Sequence, residues 1–466
     1  MKKAILMMMS ALLAMSVTAC GAGTSNSSSG NRAPAGPDST PEHKEVIEPP
    51  STTEEKTVVF STFFPSDYFK EAKKKYEAKH PNITIELKSL STDDAHLEDN
   101  LEKFVKTTGT EMLSGKGPDL LEMDQLPSGD YVKKKMLANL GDMMDSDPSF
   151  KQEEYFTNIL NGMKTNGGLY GLPIGFFVYG LIGNEDVIKK SGVTFDDTKW
   201  GWEEFVNAAK EMAKNSGKDQ LSALGQIPPE YMVNQFVNQR YSTFINEEKG
   251  TANFDSSEFK GVLQQVKTLF DQKVVGENPR MPIFYTAQIN SPSDYIRELR
   301  QSEFISGGDA HTSKLYLSPN ADAQHPGVSF RTYQTIGLNA RSTVKPEAWD
   351  FLKFLLSDEM QVKPDGAGFP LNKASYAKKV KELLEIGSVK SDQPVGPMKG
   401  KSFPITQKDI DDLSNFLSRA SYPLQFKTSK VDEMITEESK AYFTGQKSAD
   451  DVAKLIQNRV TTYLNE

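Results

Sequence analysis

Alternation and helical spacing divide the chain from residue 57 onward into predicted elements. In "TVVFSTFF" (57–64) β-branched and aromatic residues run together, and in "ITIEL" (83–87) Ile83, Ile85 and Leu87 share one face, so both read as strands. Between them Tyr68, Ala72 and Tyr76 recur at i, i+4 and i+8 with Phe69 on the same side, and Ser66 is placed to cap a helix. A strand, helix, strand unit with short connections implies a parallel pair. "GKGPDLLEMD" (115–124) is a turn entering a short apolar strand. "GLYGLPIGFFVYGLIGNEDVIKKSGV" (168–193) is low in charge and punctuated by glycine, which predicts two consecutive strands. Over 199–218, Trp202, Phe205, Val206, Ala209 and Met212 form one helical stripe, with acids at its start and Gly217 past its end. A second helix over 346–360 opens on Pro346 and carries Trp349, Leu352, Leu355 and Leu356; ahead of it "FRTYQTIGLNA" (330–340) reads as a strand. From 373 to the end the text is mostly helical, and the fold class is α/β.

The N-terminus follows a different pattern. Lys2 and Lys3 precede an apolar run from Ala4 to Val17, too short to span a bilayer, which is the layout of a secretion leader. The run ends in Val17-Thr18-Ala19-Cys20-Gly21, and Cys20 is the only cysteine of 466 residues. This resembles the bacterial lipobox, in which the cysteine is acylated and becomes the first residue of the mature chain. Residues 1–19 are then a lipoprotein signal peptide. Residues 20–56 are a lipid-anchored tether, free of aromatics, with Val46 and Ile47 its only large aliphatics. A flexible segment of that length reaches roughly 30–36 Å on average.

Charge and cysteine content then remove several functions. The formal charge is −9, becoming −11 once Lys2 and Lys3 leave with the leader, so the surface repels phosphate backbones and nucleic acid is not an expected partner. One cysteine supports neither an internal disulfide nor a thiolate zinc site. The adjacent acid pairs Asp93/Asp94, Glu153/Glu154, Asp196/Asp197, Glu203/Glu204 and Asp411/Asp412 do not face one another on a helix and read as solvated surface. The five histidines, His43, His80, His96, His311 and His325, never approach the spacing of a metal-binding helix. "GTEMLSGKG" (109–117) has the wrong spacing for a phosphate loop, and no G-x-S-x-G elbow occurs. No catalytic residue, metal or cofactor is predicted.

The order of these segments carries a resemblance. "FSTFFPSDYFKEAKKKYEAKHPNITIEL", "GKGPDLLEMD", "LYGLPIGFFVYGLIGNEDVIKKSGV", "WGWEEFVNAAKEM", "YQTIGLNARS", "AWDFLKFLLSDEMQ" and "GFPLNK" follow one another as in the family 1 extracellular solute-binding proteins of ABC importers, the group that includes maltose-binding protein. The likeness runs over roughly residues 57–375. It implies a two-lobed periplasmic-binding-protein-like fold with discontinuous lobes and a helical C-terminal region. The chain would cross near Phe176 to Leu181, Thr335 to Leu338 and Gly368 to Leu371. Lobe 1 would take residues 57–176 and 336–368, and lobe 2 residues 177–335 and 369–466.

The resemblance also implies a function: capture of a small solute, a mono- or oligosaccharide, between the lobes, and its delivery to ABC permease subunits from a membrane-anchored position. The long tether and single cysteine favour a Gram-positive cell surface. A sugar asks for aromatic faces and for hydrogen-bonding carboxylates or amides. The candidates are the loops at the ends of the implied strands: Phe63, Phe64 and Asp67; Asp124 and Gln125; Phe176, Phe177 and Tyr179; Asp309 in "FISGGDAH"; and Tyr333 and Gln334. Tyr68 sits on the helix stripe and is assigned to the core, as are Trp202 and Trp349. A peptide or polyamine receptor of the same fold, a surface polysaccharide-degrading enzyme and a module that has lost transport are the rival readings.

Overall fold

The computed structural model describes residues 49–90, 96–215, 222–225, 227–246, 249–275, 282–305, 312–319, 327–362, 367–396, 398–424 and 430–465. The leader, Cys20, most of the expected tether and Asp309 lie outside them. The chain is tied to the folded body slightly ahead of residue 57: the Ser51 N–H donates to Glu347 Oε1 at 3.2 Å, and Asn82 Nδ2 donates to the carbonyls of Ser51 at 2.8 Å and Glu54 at 3.0 Å.

The strands in these residues are β1 (Lys56–Ser61), β2 (Ile83–Lys88), β3 (Leu120–Glu122), β4 (Leu172–Asn184), β5 (Ile245–Asn246), β6 (Thr251–Ala252), β7 (Phe284–Ile289), β8 (Ser313–Tyr316), β9 (Val328–Leu338), β10 (Phe369–Pro370), β11 (Ser388–Lys390), β12 (Ser402–Pro404) and β13 (Ala420–Leu424). Nine of them form one sheet in the order β10-β4-β9-β3-β1-β2, with β7 and β8 added to β4 and β13 to β9. The expected parallel unit is present: β1 pairs with β2 in parallel, the helix Asp67–Lys79 lies between them, and Ser66 accepts from the Phe69 N–H. Its stripe of Phe69, Ala72 and Tyr76 is buried.

Residues 168–193 do not form two strands. They make the single 13-residue β4, followed by a helix, Glu185–Ser191, that Asn184 caps. The glycines that read as turns lie inside the strand because neighbouring side chains press on it. A Cβ at Gly180 would sit 2.7 Å from the Phe416 ring and 2.8 Å from the Tyr316 carbonyl oxygen. Gly180→Ala is therefore expected to cost about 1–3 kcal/mol in urea unfolding through overpacking. Gly261→Ala, in the helix Ser257–Asp271 with open space around it, should instead stabilise by about 0.5–1 kcal/mol.

Likewise, the helix expected over 346–360 is two helices, Lys345–Leu355 and Asp358–Gln361, separated at Leu356 and Ser357. The C-terminal region is helical as expected but also contains the β11–β12 hairpin and β13, which runs parallel to β9.

Three apolar clusters fill the body. The first joins β1, β2 and the inner faces of β4 and β9 to Trp349, Leu352 and Leu355, and takes in Tyr376, Val380, Leu413 and Leu417 from the C-terminal region. In the second, Phe205, Phe236 and Phe259 are packed with Val431, Ile435, Ile456 and Val460 of the last two helices, Lys430–Phe443 and Ala449–Asn465. A third holds Phe63, Phe104, Met112, Tyr131 and Met136 under the helix Leu97–Ser114. Trp200, Trp202 and Trp349 are all buried. No helix among the described residues is long and apolar enough to cross a membrane.

Asp147 anchors the first cluster's edge. It accepts from Lys353 Nζ and Trp349 Nε1, both at 2.8 Å, and from Ser149. Burial works against its charge, yet these three donors outweigh it and hold the carboxyl well below the ordinary range. A depressed folded value contributes stability above the unfolded value and loses it as pH falls. The urea midpoint should thus drop as pH is lowered from about 4, and Asp147→Asn should flatten that slope while lowering the plateau.

Candidate functional site

Two long antiparallel strands, β4 and β9, pair in the middle of the sheet, and Leu181 of β4 reaches the second cluster. The first half of β4 pairs with β9, its second half with β7 and β8, and the end of β9 pairs with β3. Paired residues on antiparallel strands share a face. The pairs Gly175/Tyr333, Phe177/Arg331 and Tyr179/Gln288 therefore line up on one side.

That side has the composition of a ligand surface. The rings of Phe177 and Tyr333 lie 5.8 Å apart at 52°, and the Arg331 guanidinium sits 5.5 Å from the Phe177 ring centre. Tyr179 donates to Gln288 Oε1 at 2.6 Å, and Gln288 Nε2 donates to Asn290 Oδ1 at 2.6 Å. Burial holds the phenols of Tyr179 and Tyr333 above their ordinary value, so both remain protonated donors at neutral pH. Phe177 is itself buried, so this side presents the half-buried Tyr333 ring and Tyr179 phenol beside the Gln288 amide and the Arg331 guanidinium.

The predicted residues separate along the strand alternation. Phe177, Tyr179 and Tyr333 converge on this face. Phe176, one residue out of phase, is fully buried against Phe156 at 5.4 Å and Phe369 at 5.5 Å. Phe63 is buried against Phe104, whereas Phe64, its ring 4.6 Å from that of Phe63, is 48% exposed. Asp67 projects into solvent and pairs with Lys70 at 2.9 Å. Gln125 is half-buried in the loop after β3.

Asp124, in the same loop, accepts from two main-chain donors: the Gln334 N–H at 2.8 Å and the Thr335 N–H at 3.0 Å. Burial raises its carboxyl above the ordinary value, against those bonds and the Arg331 charge. Gln334 is buried, with a left-handed φ of 50°. Tyr68 donates to the Leu355 carbonyl at 2.8 Å, a packing position.

Arg331 and Gln288 were not among the residues expected from sequence. Arg331 was legible: it stands two before Tyr333 in a strand, hence on the same face. Gln288 was not, because only the pairing of β7 with β4 brings it beside Tyr179.

Among the described residues no group of three His, Cys, Asp or Glu is set to hold a metal. A groove of about 480 Å³ between the helices Lys373–Ile386 and Gln407–Ser418 is lined by none of the crossing-strand residues.

The profile of the family described as bacterial extracellular solute-binding protein matches residues 65–362. The arabinooligosaccharide-binding protein of Bacillus subtilis (strain 168) is 26% identical over 154 residues, covering 32% of this chain and about a third of that protein, 33%. The fold is that of the family 1 extracellular solute-binding protein from Alicyclobacillus acidocaldarius, with a TM-score of 0.57 at 16% identity over 90% of this chain and all of that one. The ABC substrate-binding protein Lmo0181 of Listeria monocytogenes, solved with cycloalternan, aligns with a TM-score of 0.52 at 16% identity over 88% of this chain and all of that one.

Proposed function

This chain belongs to the bacterial extracellular solute-binding proteins, and from that premise we propose that it captures a mono- or oligosaccharide between its two lobes and hands it to an ABC importer. The face of Phe177, Tyr333, Tyr179 and Gln288 on the crossing strands is the observation that carries this reading. Aromatic faces cover the C–H surfaces of a sugar, and the phenol, amide and guanidinium groups beside them bond its hydroxyls. Phe64, exposed at the end of β1, supplies a further apolar wall, and Gln125 a further amide. Closure about the crossing strands completes the contacts from both lobes, and the closed form is what the permease subunits recognise.

Acylation of Cys20 and the tether behind it hold the body at the outer membrane face of a Gram-positive cell. The reading is one of capture without catalysis, which the aromatic and amide character of the face supports.

Thermal-shift screening of residues 49–466 against mono- and oligosaccharides tests the proposal. A solute at 100 times its dissociation constant stabilises by about 2.7 kcal/mol. A shift with peptides or polyamines and none with any sugar sinks the sugar reading in favour of another solute. Hydrolysis of the added oligosaccharide points to an enzyme.

A further inference from the structure

The ladder between β4 and β9 has a gap at the crossing. Its register runs through Pro173 with Thr335 and Gly175 with Tyr333, but the pair between them, Ile174 and Gln334, is missing. A buried strand that skips a pair leaves polar main-chain groups needing other partners. Two side chains supply them. The Gln334 N–H, turned aside by the left-handed φ of 50°, donates to Asp124 Oδ2 at 2.8 Å, and the next N–H, of Thr335, donates to Oδ1 at 3.0 Å. On the other strand the Ile174 carbonyl accepts from Gln361 Nε2 at 3.0 Å.

Gln361 does more than fill that gap. It is fully buried, its Nε2 also lies 3.2 Å from the Leu355 carbonyl, and its Oε1 accepts from the Leu371 N–H at 2.8 Å. Leu371 directly follows β10, which pairs with β4 at Phe176 and Gly175. One glutamine thus ties β4 to the segment leaving β10, and one aspartate ties β9 to the loop after β3. These four segments are joined next to Gly175 and Tyr333, at the edge of the candidate face.

A left-handed backbone at a non-glycine residue is strained and persists only where its surroundings over-determine it. Side-chain bonds of this kind hold a strand at one point without fixing its twist, as a continuous ladder would. We infer that Asp124 and Gln361 are hinge-positioning residues: they clamp the crossing strands at the missing Ile174/Gln334 pair and set the axis about which the two lobes turn. This rests on the family's two-lobed fold and is independent of which solute is bound.

The body suits a direct test, because the only cysteine is Cys20 and residues 49–466 contain none. Lys134→Cys, exposed beside the third cluster, and Lys267→Cys, exposed on a helix of the second, take a fluorophore or spin-label pair that reports the distance between lobes without added solute. Asp124→Asn removes one of two acceptors, and Gln361→Met removes the amide at similar length. Each is expected to broaden the distance distribution and to change the ratio of its open and closed populations about fivefold, the change given by one lost buried bond of about 1 kcal/mol. Asp147→Asn, which touches neither β4 nor β9 in its own hydrogen bonds and is destabilising for other reasons, should leave the distribution as in the parent chain.

A parental distribution in folded Asp124→Asn and Gln361→Met overturns the inference. So does equal broadening in Asp147→Asn, which marks general loosening. Should one variant fail to fold, the other decides alone. Because no solute enters the experiment, its failure is separable from a failure of the sugar reading.

Discussion

Trp349→Ala should lower the stability of the folded body by about 3–5 kcal/mol, the range for removing a buried large aromatic side chain. Trp349 is 1% exposed, lies 5.5 Å from the Phe150 ring, and donates through Nε1 to Asp147 at 2.8 Å. Its loss leaves a cavity in the first apolar cluster and deprives the half-buried Asp147 carboxylate of one donor. Trp349→Phe separates the two effects, since most of the packing survives while the donor is gone; about 1–2 kcal/mol is expected. Urea unfolding of both variants, with and without Asp147→Asn, measures the coupling: removal of Asp147 should reduce the cost of Trp349→Phe, as for two members of one network. Equal costs in both backgrounds would show that the hydrogen bond contributes nothing.

Tyr333→Ala should weaken binding of whichever sugar the screen identifies by ten- to a hundredfold, because the ring offers about 1.5–3 kcal/mol of apolar contact. Tyr333 is only half-buried, so the folded state should lose little. Phe176→Ala makes the opposite pattern. That ring is fully enclosed, and its removal should destabilise by about 3–5 kcal/mol while acting on affinity only through the fold. Tyr179→Phe, which removes the donor to Gln288, should cost about fivefold in affinity, one buried hydrogen bond's worth. Calorimetric titration beside thermal melts resolves the three. Unchanged affinity in Tyr333→Ala would place the solute elsewhere.

The sequence made the first strand, helix, strand unit legible because everything that forms it is local. Ser66 caps, Phe69 and Tyr76 follow helical spacing, and Ile83 and Ile85 alternate. Residues 168–193 were misread for the converse reason. Gly180 and Gly183 look like turn residues, yet they are strand residues kept small by rings from Phe416, Tyr316 and Phe284, which lie roughly 100 to 240 positions away. Strands β11 and β12 are only three residues each, too short to show alternation, and β13 exists through a distant, bulged pairing with β9.

Phe177, Tyr179 and Tyr333 were candidates as aromatics at the crossings the resemblance implies, and only the phase of β4 separates them from Phe176, which packs in the core. Asp124 was expected in the loop after the "PDLLEM" strand as a ligand-binding candidate. That its oxygens serve two main-chain groups depends on a gap in register, which no pattern of side chains records.

The second cluster has a consequence for how the molecule is made. Phe236 and Phe259 are sealed by Val431, Ile435, Ile456 and Val460, and Asn234 donates to the Asp432 carbonyl at 2.9 Å across nearly 200 residues. That core closes only when the helix Ala449–Asn465 has docked. Contacts so distant along the chain form slowly, and an incomplete polypeptide lacks the surface that would trap it in a compact form. Refolding of this half of the body is therefore expected to be limited by docking of the helices Lys430–Phe443 and Ala449–Asn465 onto Phe236 and Phe259.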